Sequence, residues 1–181
     1  HADSILKTWR DAGSPASPRL LFSAHGLPQS VINRGDPYQW QVEQSVAAVR
    51  KLLPADWDVR TCYQSRVGPL KWIGPSTEEE IHKAGTEGAG LLICPIAFVS
   101  EHVETLVELD IEYAQVAKQL ALPFYLRVPA LGPDPRFIDA LAELVERALS
   151  APGKMQSETG GRLCPAAYGL CAQAGSLGDA R

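Results

Sequence analysis

The sequence predicts an α/β domain: a doubly wound parallel four-stranded sheet flanked by helices. Four short apolar runs, at residues 19–24, 57–63, 91–94 and 124–128, alternate with helical patterns. That order requires parallel strands joined by right-handed crossovers. The polar signals collect just beyond the carboxyl ends of the runs, where open parallel sheets bind ligands.

Residues 1–18 contain ADSILKTWRDAG, which reads as the end of a helix, and the chain starts at His1 rather than Met. The expectation is a helix remnant from a missing N-terminal region. The first strand, 19–24, runs into a Gly- and Pro-rich loop up to Gly35. Asp36 then caps a helix with Pro37 at its first position, and Val42, Val46 and Val49 mark its apolar side through Leu53. After the second strand, Thr77 is expected to cap a helix whose first turn, Glu78, Glu79 and Glu80, suits the positive end of the helix dipole. The third strand, 91–94, holds Cys94 as a packing residue and leads into an acidic helix. The fourth strand precedes Asp134 and Pro135, which open a helix over 137–149 with Ile138, Leu141, Ala142 and Val145 inward. Residues 19–150 form the domain, and 151–181, rich in Gly, Ala and Ser, read as a flexible cysteine-containing tail.

At 181 residues the chain is long enough for one full core. A net charge of −4 and the lack of a basic run argue against a nucleic-acid partner. No apolar stretch approaches the roughly 20 residues that span a bilayer, and no signal-peptide pattern opens the chain. Four scattered cysteines fit a reducing compartment, so the cytoplasm is expected.

The most informative stretch is PIAFVSEHVETLVELDIEY, residues 95–113. A helix opening after Ser100 places Glu101, Glu104, Glu108 and Glu112 on one side, with Val103, Val107, Ala114 and Ala117 on the other. Carboxylates four apart repel by roughly 0.2–0.5 kcal/mol per pair, and no Lys or Arg appears before Lys118 to offset this. Asp110 falls within the apolar stripe, where a carboxylate needs a partner. A bound cation explains the pattern; a solvated acidic face is the alternative.

Two other strand-end loops face the same edge. His25, in SAHGLP, has Gly26 beside it for close backbone approach and Pro28 to stiffen the exit, a good mount for a catalytic imidazole or for a structural one. In RGDPY, Asp36 reads as a cap, with Arg34 and Tyr38 as cleft candidates. QSRVGP offers Gln64, Ser65 and Arg66, and Arg66 suits a bidentate grip on a carboxylate; a turn held by Ser65 is the competing reading. Cys164 and Cys171, in LCPAAYGLC, need further ligands to hold any metal.

Taken in order, SAHGLP with VINRGDPY, CYQSRVGPLKWIGPST, and PIAFVSEHVETLVELDIEY resemble the ferrochelatase family, from about Leu20 to Leu149. The resemblance implies a lyase that inserts Fe²⁺ into protoporphyrin IX, or coproporphyrin III in some bacteria, in haem biosynthesis. It implies two similar Rossmann-like halves around a porphyrin cleft, of which this chain looks like the second. His25 matches the histidine that takes pyrrole protons or binds the incoming metal, His102 the second histidine, and Glu104 the key glutamate. Glu104, Glu108 and Glu112 fall on a row of acids along a helix widened to π geometry in the family, so the implied metal set is His25, Glu104, Glu108 and Glu112. Apolar walls such as Phe98, Trp72 and Leu131, with Arg66, would hold the porphyrin. Some members carry a [2Fe–2S] cluster on tail cysteines plus one from further up the chain; Cys164 and Cys171 match part of that set, while Gln173 stands where some bacterial members have another cysteine. The implied partners are porphyrin, ferrous iron, the absent first half, and peripheral contact with the inner membrane. Two rivals stay open: a non-catalytic half-domain that binds metal or porphyrin, and a cobalt or nickel chelatase, whose metal sites are typically richer in histidine.

Overall fold

Strands β1 (Arg19–His25), β2 (Asp58–Gln64), β3 (Leu91–Pro95) and β4 (Tyr125–Arg127) pair in parallel in the order β2-β1-β3-β4. Chain order reverses between β1 and β3, which makes the sheet doubly wound and opens a crevice at their carboxyl ends. Register sets His25 opposite Gln64 across β1 and β2, and Ser23 opposite Pro95 across β1 and β3. The computed structural model describes residues 1–150, 157, 159 and 161–174.

The helices are α1 (Ala2–Asp11), α2 (Gln29–Asn33), α3 (Tyr38–Arg50), α4 (Thr77–Glu87), α5 (Val103–Leu106), α6 (Tyr113–Gln119) and α7 (Pro135–Ser150), with a π-helical turn at Glu108–Glu112 between α5 and α6. Two compact units emerge. One comprises His1–Pro28 and Val42–Gly132 and holds the whole sheet; the other comprises Gln29–Gln41 and the described residues from Pro133 onward.

Alternation along the strands sorts the core of the first unit. Leu21, Cys62, Leu91 and Ile93 cluster with Ile81 and Ala84 of α4, Leu109 of the π turn and Ala117 of α6, all fully or almost fully buried. On β1 and β3, Leu20, Phe22, Leu92 and Cys94 take the intervening positions and are also buried, as is Ile5 of α1, which lies against β3 and β4. The Trp9 and Trp57 rings meet edge-on at 5.3 Å. Cys94 is a packing residue, as its strand position suggested.

Several local expectations change. Ser76, not Thr77, caps α4: its hydroxyl accepts from the Glu79 amide at 3.1 Å, and the Glu79 carboxylate accepts from the Ser76 amide at 2.7 Å. Thr77 instead begins the helix and turns its hydroxyl into the core, 2.8 Å from Ser23 Oγ. Glu80 is buried and held by Arg60 of β2 at 3.0 Å and Lys83 at 2.5 Å, so it serves an ion network rather than the helix dipole. Asp36 does cap, accepting from the Tyr38 amide at 2.9 Å.

The acidic helix starts at Val103, so Glu101 lies in the loop before it, and Val103 is 66% exposed rather than inward. The π turn changes the angular phase, and Thr105 and Leu109 take the buried positions. In α7 no residue is buried; Ile138, Leu141, Ala142 and Val145 are exposed. Periodicity records which face of a helix is apolar, while burial also needs an element set against that face.

Of the tail, residues 151–156, 158, 160 and 175–181 lie outside the described residues. Residues 161–174 form successive turns, with the Arg162 guanidinium donating to the carbonyls of Cys164, Pro165 and Tyr168 at 2.9, 2.6 and 2.7 Å.

Candidate functional site

His25, Glu104 and the side chains that hold Glu104 and Glu108 lie in the first unit, at the carboxyl ends of β1, β2 and β3, whereas the candidates Arg34 and Tyr38 fall in the second unit. The Gly26 amide donates to the Gln64 carbonyl at 2.8 Å, carrying the β1–β2 contact one residue past the strands. A Cβ on Gly26 would sit 2.9 Å from that carbonyl oxygen, 3.3 Å from Arg66 Cγ and 3.4 Å from the Trp72 ring, so glycine is what permits the approach.

His25 is mounted on this junction, with Nδ1 2.6 Å from the Gly26 carbonyl oxygen. A carbonyl can only accept, so Nδ1 carries the proton and Nε2 is the nitrogen left to take one. Nε2 lies 3.4 Å from Glu104 Oε1, and the two side chains are 39% and 33% exposed. A base and a carboxylate thus meet at an edge that a substrate can reach.

Glu104 is placed from two directions. His102 caps α5, its Nδ1 accepting from the Glu104 amide at 3.2 Å while its ring lies against Phe98 with centroids 5.0 Å apart. From β2, the buried Gln64 side chain donates to the Glu104 carbonyl at 2.6 Å and to Glu108 Oε2 at 3.0 Å. Gln64 is oriented by Ser23, whose hydroxyl donates to its Oε1 at 2.7 Å and meets Thr77 Oγ1, which donates onward to Cys62 Sγ at 3.3 Å. Ser65 follows with φ 60, a left-handed conformation uncommon for a residue with a side chain, and gives both its amide and its hydroxyl to Glu108 at 3.1 and 3.0 Å.

In the π turn the Glu112 amide reaches the Val107 carbonyl at 2.9 Å, and the Tyr113 amide reaches the Glu108 carbonyl. In an α-helix, positions four apart drift by about 40° per step. The extra residue in a π turn counters that drift for Glu104, Glu108 and Glu112.

The acidic segment does have a cation, supplied from a different strand. Arg127 of β4 donates to both oxygens of Asp110 at 2.6 Å and to Glu101 at 2.5 Å. Partial burial pushes the Glu101 carboxyl up, but hydrogen bonds from Arg127 and its neighbours outweigh this and hold it below the ordinary carboxylate value. Asp110 is exposed rather than set in an apolar stripe.

The structure therefore brings His25 and Glu104 together and puts Arg66 and Trp72 beside their mount. Arg66 also lines a cavity of about 510 Å³ with Ser76, Glu78, Glu79, His82 and Lys83. Glu108 is held by neutral donors, Glu112 is exposed at the end of the π turn, Phe98 is buried under the His102 ring, and Leu131 is half-buried. Among the described residues, no three or more His, Cys, Asp or Glu side chains converge as a ready-made metal site. Sequence reasoning did not assign the anchoring roles of Gln64 and Arg127; a buried amide closing a strand was the available signal for the first.

A model of the ferrochelatase family matches residues 1–149. The chain belongs to the ferrochelatase family. It is 58% identical over 172 residues to the ferrochelatase of Phenylobacterium zucineum, covering 95% of this chain and 50% of that protein. To the ferrochelatase of Caulobacter vibrioides it is 58% identical over 172 residues, covering 94% and 49%. To that of Hyphomonas neptunium it is 53% identical over 174 residues, covering 96% and 49%. The chain thus spans about half the length of these relatives.

Some ferrochelatases hold a [2Fe–2S] cluster on tail cysteines, and the donors in this chain can be tested against that group. Cys164 and Cys171 are buried, and each thiol shifts the other. The Gln173 amide, then Cys164 and Arg162, lower the Cys171 thiol, while burial and the neighbouring thiol raise Cys164. A cluster needs four ligands. The remaining cysteines, Cys62 and Cys94, are buried in strands, and burial pushes each thiol up to about 12. The donors among the described residues do not fit the cluster. No helix among the described residues is long and apolar enough to cross a membrane.

Proposed function

We propose that this chain carries the proton-accepting and metal-delivering part of a ferrochelatase, a lyase that inserts Fe²⁺ into protoporphyrin IX to form protohaem. The observation that carries the reading is the pairing of His25 Nε2 with Glu104 at the crevice edge, where the Gly26 carbonyl fixes the tautomer. Metallation must remove two N–H protons from the macrocycle and strip water from the metal. His25 Nε2 accepts the two pyrrole protons in turn, releasing the first to water at the exposed edge before the second is taken, and the Glu104 carboxylate stabilises each imidazolium. Opposite charges about 4 Å apart attract by about 1 kcal/mol in water and about 4 kcal/mol near a protein surface.

Glu104, Glu108 and Glu112 form the path for the incoming cation, giving oxygen ligands that are exchanged as iron advances. Gln64 and Ser65 orient the Glu108 carboxylate without neutralising it, which leaves its charge for the metal. Phe98, Trp72 and Leu131 contribute apolar wall, and Arg66 reaches a propionate of the porphyrin. His102 contributes by capping the segment that carries Glu104. The remaining length of the relatives supplies the opposing wall of the cleft. The setting is the cytoplasm, with porphyrin and haem exchanged at the inner-membrane surface.

The test mixes the chain anaerobically with Fe²⁺ and protoporphyrin IX and follows the Soret and Q bands, with His25→Ala as control. Conversion to haem that the control loses supports the reading. Saturable binding of porphyrin without product, from folded protein, would instead favour a binding half-domain, the reading to which half-length coverage of the relatives points.

A further inference from the structure

The carboxylates of the acidic segment fall into two groups by the kind of partner each has. Glu101 and Asp110 are paired with a guanidinium, which stays protonated at any working pH. Among the described residues, Glu108 has only neutral donors, and Glu104 faces an imidazole. Glu101 immediately precedes the His102 cap, and Asp110 lies at the middle of the π turn, so the two arginine-bound acids bracket Glu104 and Glu108 in the chain.

We infer that Arg127 is a positioning residue of the iron path, clamping the segment on either side of Glu104 and Glu108 from a fixed point in the sheet; this rests on the reading of Glu104 and Glu108 proposed above. Arg127 ends β4, which pairs with the central strand β3, so its backbone is anchored by the ladder. Its guanidinium takes Asp110 in a two-pronged grip, which fixes direction as well as distance, and spends a third N–H on Glu101. The Ala130 amide adds a second donor to the same Glu101 oxygen at 2.9 Å, and Gly132, with φ 56, ties the loop after β4 to the Val99 carbonyl at 2.8 Å. The loop after β3 is thereby held by the loop after β4 on one side, while Gln64 and Ser65, at the end of β2, hold Glu108 of the π turn on the other.

This arrangement also explains why so many acids can share one short segment. Arg127 neutralises Glu101 and Asp110, two of the five. The charge left on Glu104, Glu108 and Glu112 is then available to a divalent cation. A clamp of this kind acts on where the carboxylates point. Its loss should therefore affect handling of iron far more than recognition of porphyrin.

The experiment compares Arg127→Ala and Arg127→Lys with the unsubstituted chain. It measures amide hydrogen exchange over residues 103–113 and, in the insertion assay, KM for Fe²⁺ and for porphyrin separately. Arg127→Ala is expected to speed exchange in that segment at least ten-fold, with β1 and β2 amides unchanged. KM for Fe²⁺ should rise at least five-fold while that for porphyrin stays within two-fold. Arg127→Lys, a single point charge in place of the fork, should restore exchange protection only in part. Should the unsubstituted chain take no iron, the functional reading falls and hydrogen exchange alone judges the clamp. Unchanged exchange in Arg127→Ala, or equal rises in both KM values, would overturn it.

Discussion

Substituting Gly26 by alanine tests whether the crevice depends on the close approach of β1 and β2. The new Cβ would lie 2.9 Å from the Gln64 carbonyl oxygen, whereas ordinary contact begins at 3.4 Å, so the strand ends must part by about 0.5 Å. The obstacle is space, because Gly26 is not among the residues with positive φ. The nearest atom is backbone and cannot rotate away. Parting the strands stretches the 2.8 Å hydrogen bond from the Gly26 amide and moves the carbonyl that orients His25. Overpacking of this kind costs about 1–3 kcal/mol. A misplacement of about 1 Å at a reacting group can cost about 100-fold in rate, so half of that distance predicts roughly ten-fold. Urea unfolding measures the first quantity, and anaerobic haem formation, normalised to folded protein, the second. Wild-type stability together with a wild-type rate would mean that the Cβ finds room, and the mount argued for His25 would be wrong.

Three further predictions separate structural from chemical roles. Ser76→Ala should lower stability by about 1 kcal/mol, seen as a fall in Tm of about 2–4 °C, because one half of the capping box is lost. The same box gives a pH signature: backbone and side-chain hydrogen bonds from Ser76 hold the Glu79 carboxyl below its ordinary 4.5, as the Arg127 pairing does for Glu101. A carboxyl depressed in the folded state stabilises fully above the unfolded value and loses that contribution as pH falls through the folded one. Urea midpoints should therefore drop below about pH 4.5, and less steeply in Glu79→Gln. His102→Asn keeps an acceptor for the Glu104 amide, so it should retain haem formation within a few-fold, whereas His102→Ala should lose about 1 kcal/mol of stability. Loss of haem formation in a fully folded His102→Asn protein would show that the imidazole has a chemical task beyond capping.

Much of this protein was legible in residue order because the relevant physics is local. Alternating apolar runs and helical periodicity placed four strands, most of the helices and the doubly wound order, and the strand-end rule put His25 and Gln64 at the right edge. The spacing of Glu104, Glu108 and Glu112 was visible too, and the resemblance to ferrochelatases marked where the π turn falls. The misses involve partners remote in sequence. The acidic segment showed no cation of its own, yet Arg127 reaches Asp110 and Glu101 from 17 and 26 residues away. Glu108 is held by donors 43 and 44 residues distant, and Glu80 by an arginine 20 residues back. The apolar stripe of α7 was correctly seen and wrongly assumed to be covered. Sequence by itself determined which elements form and which face of each is apolar, because dihedral preferences and side-chain periodicity act over a few residues. Tertiary structure alone decided which charges are neutralised, which carboxylates have neutral partners and how His25 is oriented, because strand order sets which distant side chains meet.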